Sequence, residues 1–330
     1  EEVKIYSLVM PSIIVASDKP KSGKTMVSSV LSTYLASKGH EVSAMGSMFD
    51  ESEAVSSIPE WLDDVEVIGG VPEKRPASPS SDQIRKVAEK IKAHSKGKVL
   101  VVESHLKTPR ENNELAQASE SKVIYVSSID SKMSRTKEAF GDRLLGVVLN
   151  NVPRYRMDLV KKTPQEVPVI SYISENRHMV SSTVDQFARH LEGKYLYESD
   201  KKDELVLNVL IGGLVLDWSV LYFQSKKDVL AVIRGDRPDL HLGALQSGNV
   251  HALMLTQGIE PIEYVYYEAK ELEIPIILVS TDTHETMDLI PGIVDKAKFD
   301  HPRKLNHSLK EFEANIRQEV VDKVLGQITL

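Results

Sequence analysis

The chain has 330 residues, of which 41% are apolar and 27% charged, with a net charge of −7 and no cysteine. This length ordinarily resolves into two domains, and the composition excludes a disordered or fibrous chain. The absence of cysteine excludes a disulfide scaffold and any cysteine-based metal or nucleophilic site, and it fits a reducing compartment, so the cytoplasm is the expected location.

Charge and hydropathy also limit the classes of binding partner that the chain is expected to have. The net negative charge opposes binding to a long nucleic-acid backbone, although a small anion can still bind locally. No stretch approaches the roughly 20 consecutive apolar residues that cross a bilayer. The acidic first segment, EEVKIYSLVM, lacks the basic start of a signal peptide. We therefore expect neither nucleic acid nor membrane as a partner.

The first half of the chain alternates short β-branched runs with helical patterns. The runs are SIIVAS at 12–17, KVLVVE at 98–103, KVIYVS at 122–127, LLGVVLN at 144–150 and VPVISYI at 167–173. Continuous apolar runs are typical of strands covered on both faces, and the segment 25–37 has apolar residues at helical spacing. The sequence predicts an α/β domain with a parallel sheet flanked by helices, interrupted by a long loop or insertion at 51–82.

A second α/β series begins near residue 205. Its runs are LVLNVLI at 205–211, VLAVI at 229–233, VHALML at 250–255 and PIILVS at 275–280. The charged stretch 197–204 lacks apolar periodicity and is interpreted as a linker, with a solvated helix end as the alternative. This predicts domains at 1–198 and 199–330, the second smaller and closed by a helix over 308–325.

The first run is followed directly by DKPKSGKT at 18–25, here called the phosphate loop, and then by the predicted helix. In such a loop the backbone N–H groups point inward, Gly23 permits close approach, and the helix N-terminus favours an anion. Lys24 would pair with the β and γ phosphates and the Thr25 hydroxyl would ligate Mg²⁺. The alternative is that Ser22 to Thr25 form only a polar turn that opens a helix.

A standard Walker A motif would have glycine at position 18, where this chain has Asp18. The loop instead resembles the deviant form KGGxGK[ST] of the partition, septum-site and dethiobiotin synthetase superfamily, with Lys19 at the place of its second lysine. The resemblance implies that Lys19 reaches nucleotide phosphate, sometimes in a partner subunit, and so implies a homodimer. Lys21 is expected to be solvated.

Two further residues complete the predicted nucleotide site. Glu103 ends a strand at the sheet edge where α/β folds bind ligands, and the resemblance implies that it coordinates Mg²⁺, although Ser104 replaces the family's glycine. Asn150 in GVVLNNVP matches the family's asparagine that recognises a purine base. The alternatives are a solvated acid at the strand end for Glu103 and a turn asparagine before Pro153 for Asn150.

The segment 167–191 resembles the family's PVLGVIPEDRLLAAPTV segment, and 233–290 resembles a DRTGG domain with landmarks at 235–237, 255–258 and 281–286. Gln257 takes the place of the first of two family glycines. Asp236 and Arg237 lie in a loop that would meet the 255–258 loop at one sheet edge, either as a ligand site or as a pair that fixes the loop. The combination is similar to the dethiobiotin-synthetase-like N-terminal regions of long bacterial phosphotransacetylases and to their free-standing relatives.

Two functions follow from the resemblance. The first is a regulatory or sensory protein that binds Mg-ATP or Mg-GTP and engages a small metabolite or protein partner through its DRTGG domain. Because the chain ends at Leu330, it is expected to lack acetyltransferase activity and to be at most a slow ATPase. The second is an ATP-dependent ligase that activates a carboxylate, like dethiobiotin synthetase or cobyrinic acid a,c-diamide synthase. Against it, the stretch 42–51 has no lysine to serve carboxylate chemistry.

Overall fold

A computed structural model describes residues 12–17, 19–46, 48–49, 58–74, 76, 78–131, 133–213, 216–317 and 319, without the side chains of residues 216 and 217. The chain forms two compact units, Glu1–Glu175 with Phe299–Leu330 and Asn176–Lys298. Both units are α/β, and the second is the smaller, as the sequence predicts.

The first unit is built on a seven-stranded sheet in which every pairing is parallel. Its strands are β1 (Ser12–Ala16), β2 (Val42–Met45), β3 (Val65–Ile68), β4 (Val99–Glu103), β5 (Lys122–Ser127), β6 (Leu144–Val152) and β7 (Val169–Ser174), in the order β3-β2-β4-β1-β5-β6-β7. Its first five helices are α1 (Lys24–Ser37), α2 (Ser81–His94), α3 (Pro109–Ala118), α4 (Met133–Phe140) and α5 (Met157–Lys162).

The central strands are mostly apolar because helices cover both faces of a parallel sheet. Every residue of β1 and β4 is buried, including the carboxylate-bearing Glu103. The five predicted strands of this half are confirmed. The predicted loop or insertion at 51–82 is wrong in part, because β3 lies within it and α2 begins at Ser81; residues 51–57 lie outside the described part.

The second unit has a five-stranded sheet and a short two-stranded ribbon. Its helices are α6 (Arg177–Val180), α7 (Val184–His190), α8 (Leu216–Gln224), α9 (Pro238–Gln246), α10 (Glu263–Glu271) and α11 (Thr283–Leu289). Its strands are β8 (Ser182–Thr183), β9 (Lys194–Tyr197), β10 (Leu205–Val206), β11 (Asn208–Gly212), β12 (Val229–Arg234), β13 (Val250–Thr256) and β14 (Ile276–Leu278). The sheet order is β11-β12-β13-β14-β9, parallel except for β9, and β8 pairs with β10.

The predicted domain limits differ from the structure at both ends of the second unit. Residues 176–198 belong to it because β9 pairs antiparallel with β14, so the boundary lies near Glu175 and not at 198/199. The last helix, α12 (Pro302–Asn315), belongs to the first unit, where its Phe312 ring meets the Tyr34 ring of α1 at 5.6 Å. The predicted continuation of this helix to residue 325 is wrong at its start, because Ile316 is extended and forms a bridge to Ser171 of β7; residues 320–325 lie outside the described part.

Candidate functional site

The strand order of the first unit creates a crevice at the carboxyl end of β1. Strands β4 and β5 flank β1, and the β1–β4 register pairs Val15 with Glu103. In open α/β sheets such a point, where neighbouring connections diverge, is where ligands bind. The phosphate loop therefore leaves β1 beside the end of the strand that carries Glu103.

The loop closes on the first turn of α1. Gly23 has φ 93° and ψ 20°, a left-handed conformation that glycine adopts without steric cost, and the helix begins at Lys24. The amide of Val27 donates to the Gly23 carbonyl at 2.9 Å, which continues the helical ladder into the loop. A 14-residue helix thus directs its N-terminus, with its partial positive charge, at the space above the loop.

The residues of the loop differ in their exposure. Lys19 and Lys21 are exposed, and Lys21 has a left-handed backbone with φ 53°. Ser22 and Lys24 are half-buried, and the Ser22 hydroxyl oxygen is buried without a hydrogen-bond partner among the described residues. A buried hydroxyl with no partner is uncommon in proteins and fits a loop that accepts a ligand. Asp18 lies outside the described residues.

Thr25 and Glu103 come together across the crevice. The Thr25 hydroxyl donates to Glu103 Oε1 at 2.8 Å, although 78 residues separate them in sequence. Two oxygens that bind Mg²⁺ at about 2.0–2.1 Å in adjacent octahedral positions lie about 2.9 Å apart. The spacing of this pair therefore fits two neighbouring magnesium ligands.

No group of three or more His, Cys, Asp or Glu residues that could hold a metal occurs in the described part of the chain. A nucleotide-bound magnesium ion does not need one, because it keeps several waters and takes one or two protein ligands besides phosphate. The Thr25–Glu103 pair is thus suited to a metal that arrives with phosphate and not to a permanent all-protein cage.

The Asn150 side chain lies against the loop. Its Nδ2 donates to the Ser22 carbonyl at 2.8 Å. A Cβ added to Gly23 would lie 2.2 Å from the same Nδ2, so a side chain at position 23 would displace the Asn150 carboxamide. The structure thus brings Asn150 to the phosphate loop, as the resemblance implies, and its described contact there is to the loop backbone.

Sequence reasoning missed two residues that brace the loop after Glu103. The Ser104 hydroxyl accepts the Leu106 amide at 3.2 Å, and the buried Asn112 of α3 donates from Nδ2 to the carbonyls of Leu106 and Thr108 at 3.3 and 2.8 Å. Asn112 belongs to no motif, so no signal in the sequence pointed to it.

In the second unit, Asp236 and Arg237 do not pair with each other. Asp236 accepts from Arg234 Nη2 at 2.5 Å, and Arg237 donates through Nε and Nη2 to Asp239 at 2.9 and 2.7 Å. The neighbouring Asp239 holds the pKa of Arg237 above its ordinary value through these hydrogen bonds. Both arrangements fix the loop between β12 and α9 upon itself.

The loops after β12, β13 and β14 meet at one edge of the second sheet. The Gly235 amide donates to the Thr256 carbonyl at 3.4 Å, and the Gln257 amide donates to the Thr281 carbonyl at 2.8 Å. Gln257, at the predicted place of a family glycine, has a left-handed φ of 68°. The two loops expected to converge do so, as parallel strands require.

The buried His241 contacts the backbone at the end of β12, where the following loop begins. His241 is fully buried in α9, its Nε2 lies 2.9 Å from the Arg234 carbonyl, and its Nδ1 has no hydrogen-bond partner among the described residues. Because the carbonyl can only accept, Nε2 carries the hydrogen and Nδ1 the lone pair. Burial lowers the pKa of His241, since it penalises the charged imidazolium.

Comparison with known proteins finds the DRTGG domain model over residues 186–293. The chain is 26% identical over 159 residues to a phosphate acetyltransferase of Nitratidesulfovibrio vulgaris, covering 45% of this chain and 22% of that protein. It is 24% identical over 190 residues to a phosphate acetyltransferase of Synechocystis sp., covering 54% of this chain and 27% of that protein. The aligned part therefore spans about a quarter of each relative.

Among solved structures, the septum site-determining protein MinD of Pyrococcus horikoshii, complexed with Mg-ADP, matches at 16% identity with a TM-score of 0.37, over 51% of this chain and 83% of that one. A structural match at this level gives no information about the ligands of this chain.

Within the described residues, no helix has the length and apolar character to cross a membrane. The chain thus joins an α/β domain built on a parallel sheet to a second α/β domain that matches the DRTGG model at residues 186–293.

Proposed function

We propose that the first unit binds a purine nucleoside triphosphate with Mg²⁺. The observation that carries the proposal is the hydrogen bond between Thr25 and Glu103, because it sets a hydroxyl and a buried carboxylate at magnesium-ligand spacing beside a helix N-terminus. Ser22 and Gly23 lie directly before that helix, and Lys24 is its first residue.

The roles divide by chemistry. Backbone amides at Gly23 and Lys24 and the Lys24 ammonium would hold the β and γ phosphates, and Lys19 would add a second cation from the exposed side of the loop. Thr25 and Glu103 would hold Mg²⁺, which supplies charge neutralisation for the phosphate oxygens. The metal-free contact between the two would be exchanged for two contacts to the ion.

We further propose that this nucleotide site belongs to a regulatory or sensory protein. The curated relatives are phosphate acetyltransferases, of which the alignments cover 22% and 27%. The match to the DRTGG model over 186–293 supports a second unit that engages a small metabolite or a protein partner, and the position of Lys19 in the loop supports a homodimer.

Equilibrium titration tests the nucleotide site. Mg-ATP, Mg-GTP and Mg-CTP are titrated into the full chain, each with and without excess EDTA. We expect saturable binding of ATP or GTP that tightens with magnesium and exceeds the affinity for CTP. Absence of saturable binding for all three would contradict the proposal. A thermal-shift screen of metabolites, with and without Mg-ATP, then seeks the ligand of the second unit.

A further inference from the structure

The phosphate loop needs support on its outer side. A loop that points its N–H groups inward at phosphate must turn carbonyl oxygens outward, and a half-buried carbonyl requires a donor. The Ser22 carbonyl, two residues before Lys24, receives one from Asn150 Nδ2 at 2.8 Å. The donor comes from the end of β6, 128 residues further along the chain, and does not belong to the loop itself.

The contact is close on two sides. Gly23 approaches Asn150 so nearly that an added Cβ would lie 2.2 Å from Nδ2 and 3.3 Å from Cγ. The carboxamide is thus in contact with both residues that precede Lys24. A side chain held this way fixes the last peptide of the loop, whose orientation aims the amides of the first helical turn.

We propose that Asn150 is a positioning residue for the phosphate loop, so that it contributes to triphosphate affinity whatever base the ligand carries. The inference rests on the proposed nucleotide site. It differs from base recognition in its consequence: a base reader matters only when a base is present, whereas a loop brace acts equally on a triphosphate that has none.

Inorganic tripolyphosphate separates the two roles, because it offers the same phosphate chain as ATP without base or ribose. Both ligands are titrated with Mg²⁺ into the full chain as unaltered protein, Asn150→Ala and Asn150→Asp. Asn150→Ala removes one net hydrogen bond and should weaken both ligands by the same factor, between about 2-fold and 12-fold. Asn150→Asp should weaken both further, because a carboxylate oxygen would face the Ser22 carbonyl without a hydrogen between them.

Asn151→Asp is the matched control. Asn151 is exposed and has a left-handed φ of 57°, which aspartate tolerates, so the variant adds the same charge one residue away without touching the loop. It should change both affinities less than Asn150→Asp does. Thermal unfolding of each variant establishes that the fold is retained.

The outcomes are distinct. An equal loss for ATP and tripolyphosphate in Asn150→Ala supports the positioning role. A loss confined to ATP, or no loss for either ligand, overturns that role while leaving the nucleotide site in place. If the unaltered chain binds neither ligand, the proposed function is wrong and the role of Asn150 falls with it.

Discussion

The Thr25 hydroxyl, in the first turn of α1, and the Glu103 carboxylate, at the end of β4, lie 2.8 Å apart in a hydrogen bond across the crevice of the first sheet. Glu103 is 4% exposed, so this contact satisfies a buried charge. A metal ion that arrives with phosphate would take both oxygens and compensate the carboxylate more fully.

Glu103→Gln should therefore lower magnesium-dependent nucleotide affinity more than metal-free affinity. The change removes the charge that attracts the metal but almost no volume, and we expect a loss of about tenfold or more with Mg²⁺ present. Isothermal titration with and without Mg²⁺ measures both affinities. Thr25→Ser, which keeps the hydroxyl, is the control and should retain the magnesium effect. The same magnesium dependence in Glu103→Gln as in the unaltered chain would remove Glu103 from the metal site.

Lys19 tests whether nucleotide binding is coupled to dimer formation. If Lys19 contacts phosphate across a two-fold interface, nucleotide binds the dimer better and shifts the equilibrium toward it. Sedimentation velocity with a non-hydrolysable ATP analogue should then show a larger species for the unaltered chain and none for Lys19→Ala. Lys21→Asn removes an equal charge from the exposed loop at a left-handed position that asparagine tolerates, and should keep the shift. A dimer indifferent to nucleotide in all three proteins would refute the coupling.

The left-handed backbone of Gln257 leads us to expect that substitution by glycine raises the free energy of unfolding. Its φ of 68° costs a non-glycine residue about 1–2 kcal/mol, of which the greater freedom of glycine in the unfolded chain returns part. Gln257→Gly should raise the free energy of unfolding by about 0.5–1 kcal/mol. Gly258→Ala should lower it, because Gly258 has φ 65° with open space around a Cβ, so the cost is one of backbone alone. Urea denaturation measures both, and a loss of stability in Gln257→Gly would contradict the argument.

The burial of His241 leads us to expect that the stability of the protein depends on pH. Burial lowers its pKa in the folded state, so the unfolded chain, with a pKa near the ordinary value of about 6.5, takes up the proton first as the pH falls. Between about pH 6.5 and the lower pKa of the folded state, the free energy of unfolding should decrease as the pH is lowered. This group contributes up to about 1.4 kcal/mol per pH unit.

The matched variants isolate this contribution. His241→Gln keeps a side-chain donor for the Arg234 carbonyl without titrating, and should lose less stability than the unaltered chain between pH 7 and pH 5. His284→Gln removes an exposed histidine and should keep the original slope. Equal slopes in all three proteins, measured by denaturation at each pH, would show that His241 does not titrate differently on folding.

Continuous apolar runs made most of the fold predictable. The segment KVLVVE became β4 because no polar residue interrupts it before Glu103, and the loop after SIIVAS was recognisable by the order of strand, loop and helix. The boundary between the two units was not predictable in the same way. The run KYLY at 194–197 is half polar and edge-paired, so it resembled the charged linker beside it until its antiparallel partner β14 was known.

The site was predictable in its residue types and less so in its contacts. The resemblance placed Thr25, Glu103 and Asn150 at one site, and the structure brings all three to the phosphate loop. It could not show that Asn150 donates to the Ser22 carbonyl, because that pairing depends on the register of β6 against the loop. The adjacent residues Asp236 and Arg237 likewise pair with Arg234 and Asp239 and not with each other, since neighbouring side chains on a turn point apart.

The most direct test of the nucleotide site is isothermal titration of Mg-ATP into the unaltered chain and Lys24→Ala. Lys24 is half-buried at the start of α1 and opposes triphosphate charge, so its loss should cost at least about 100-fold in affinity. Thermal unfolding without nucleotide should be almost unchanged, since the lysine fills no core. Loss of binding with the fold retained is the result we predict, and equal affinity of both proteins for Mg-ATP would contradict a phosphate site at this loop.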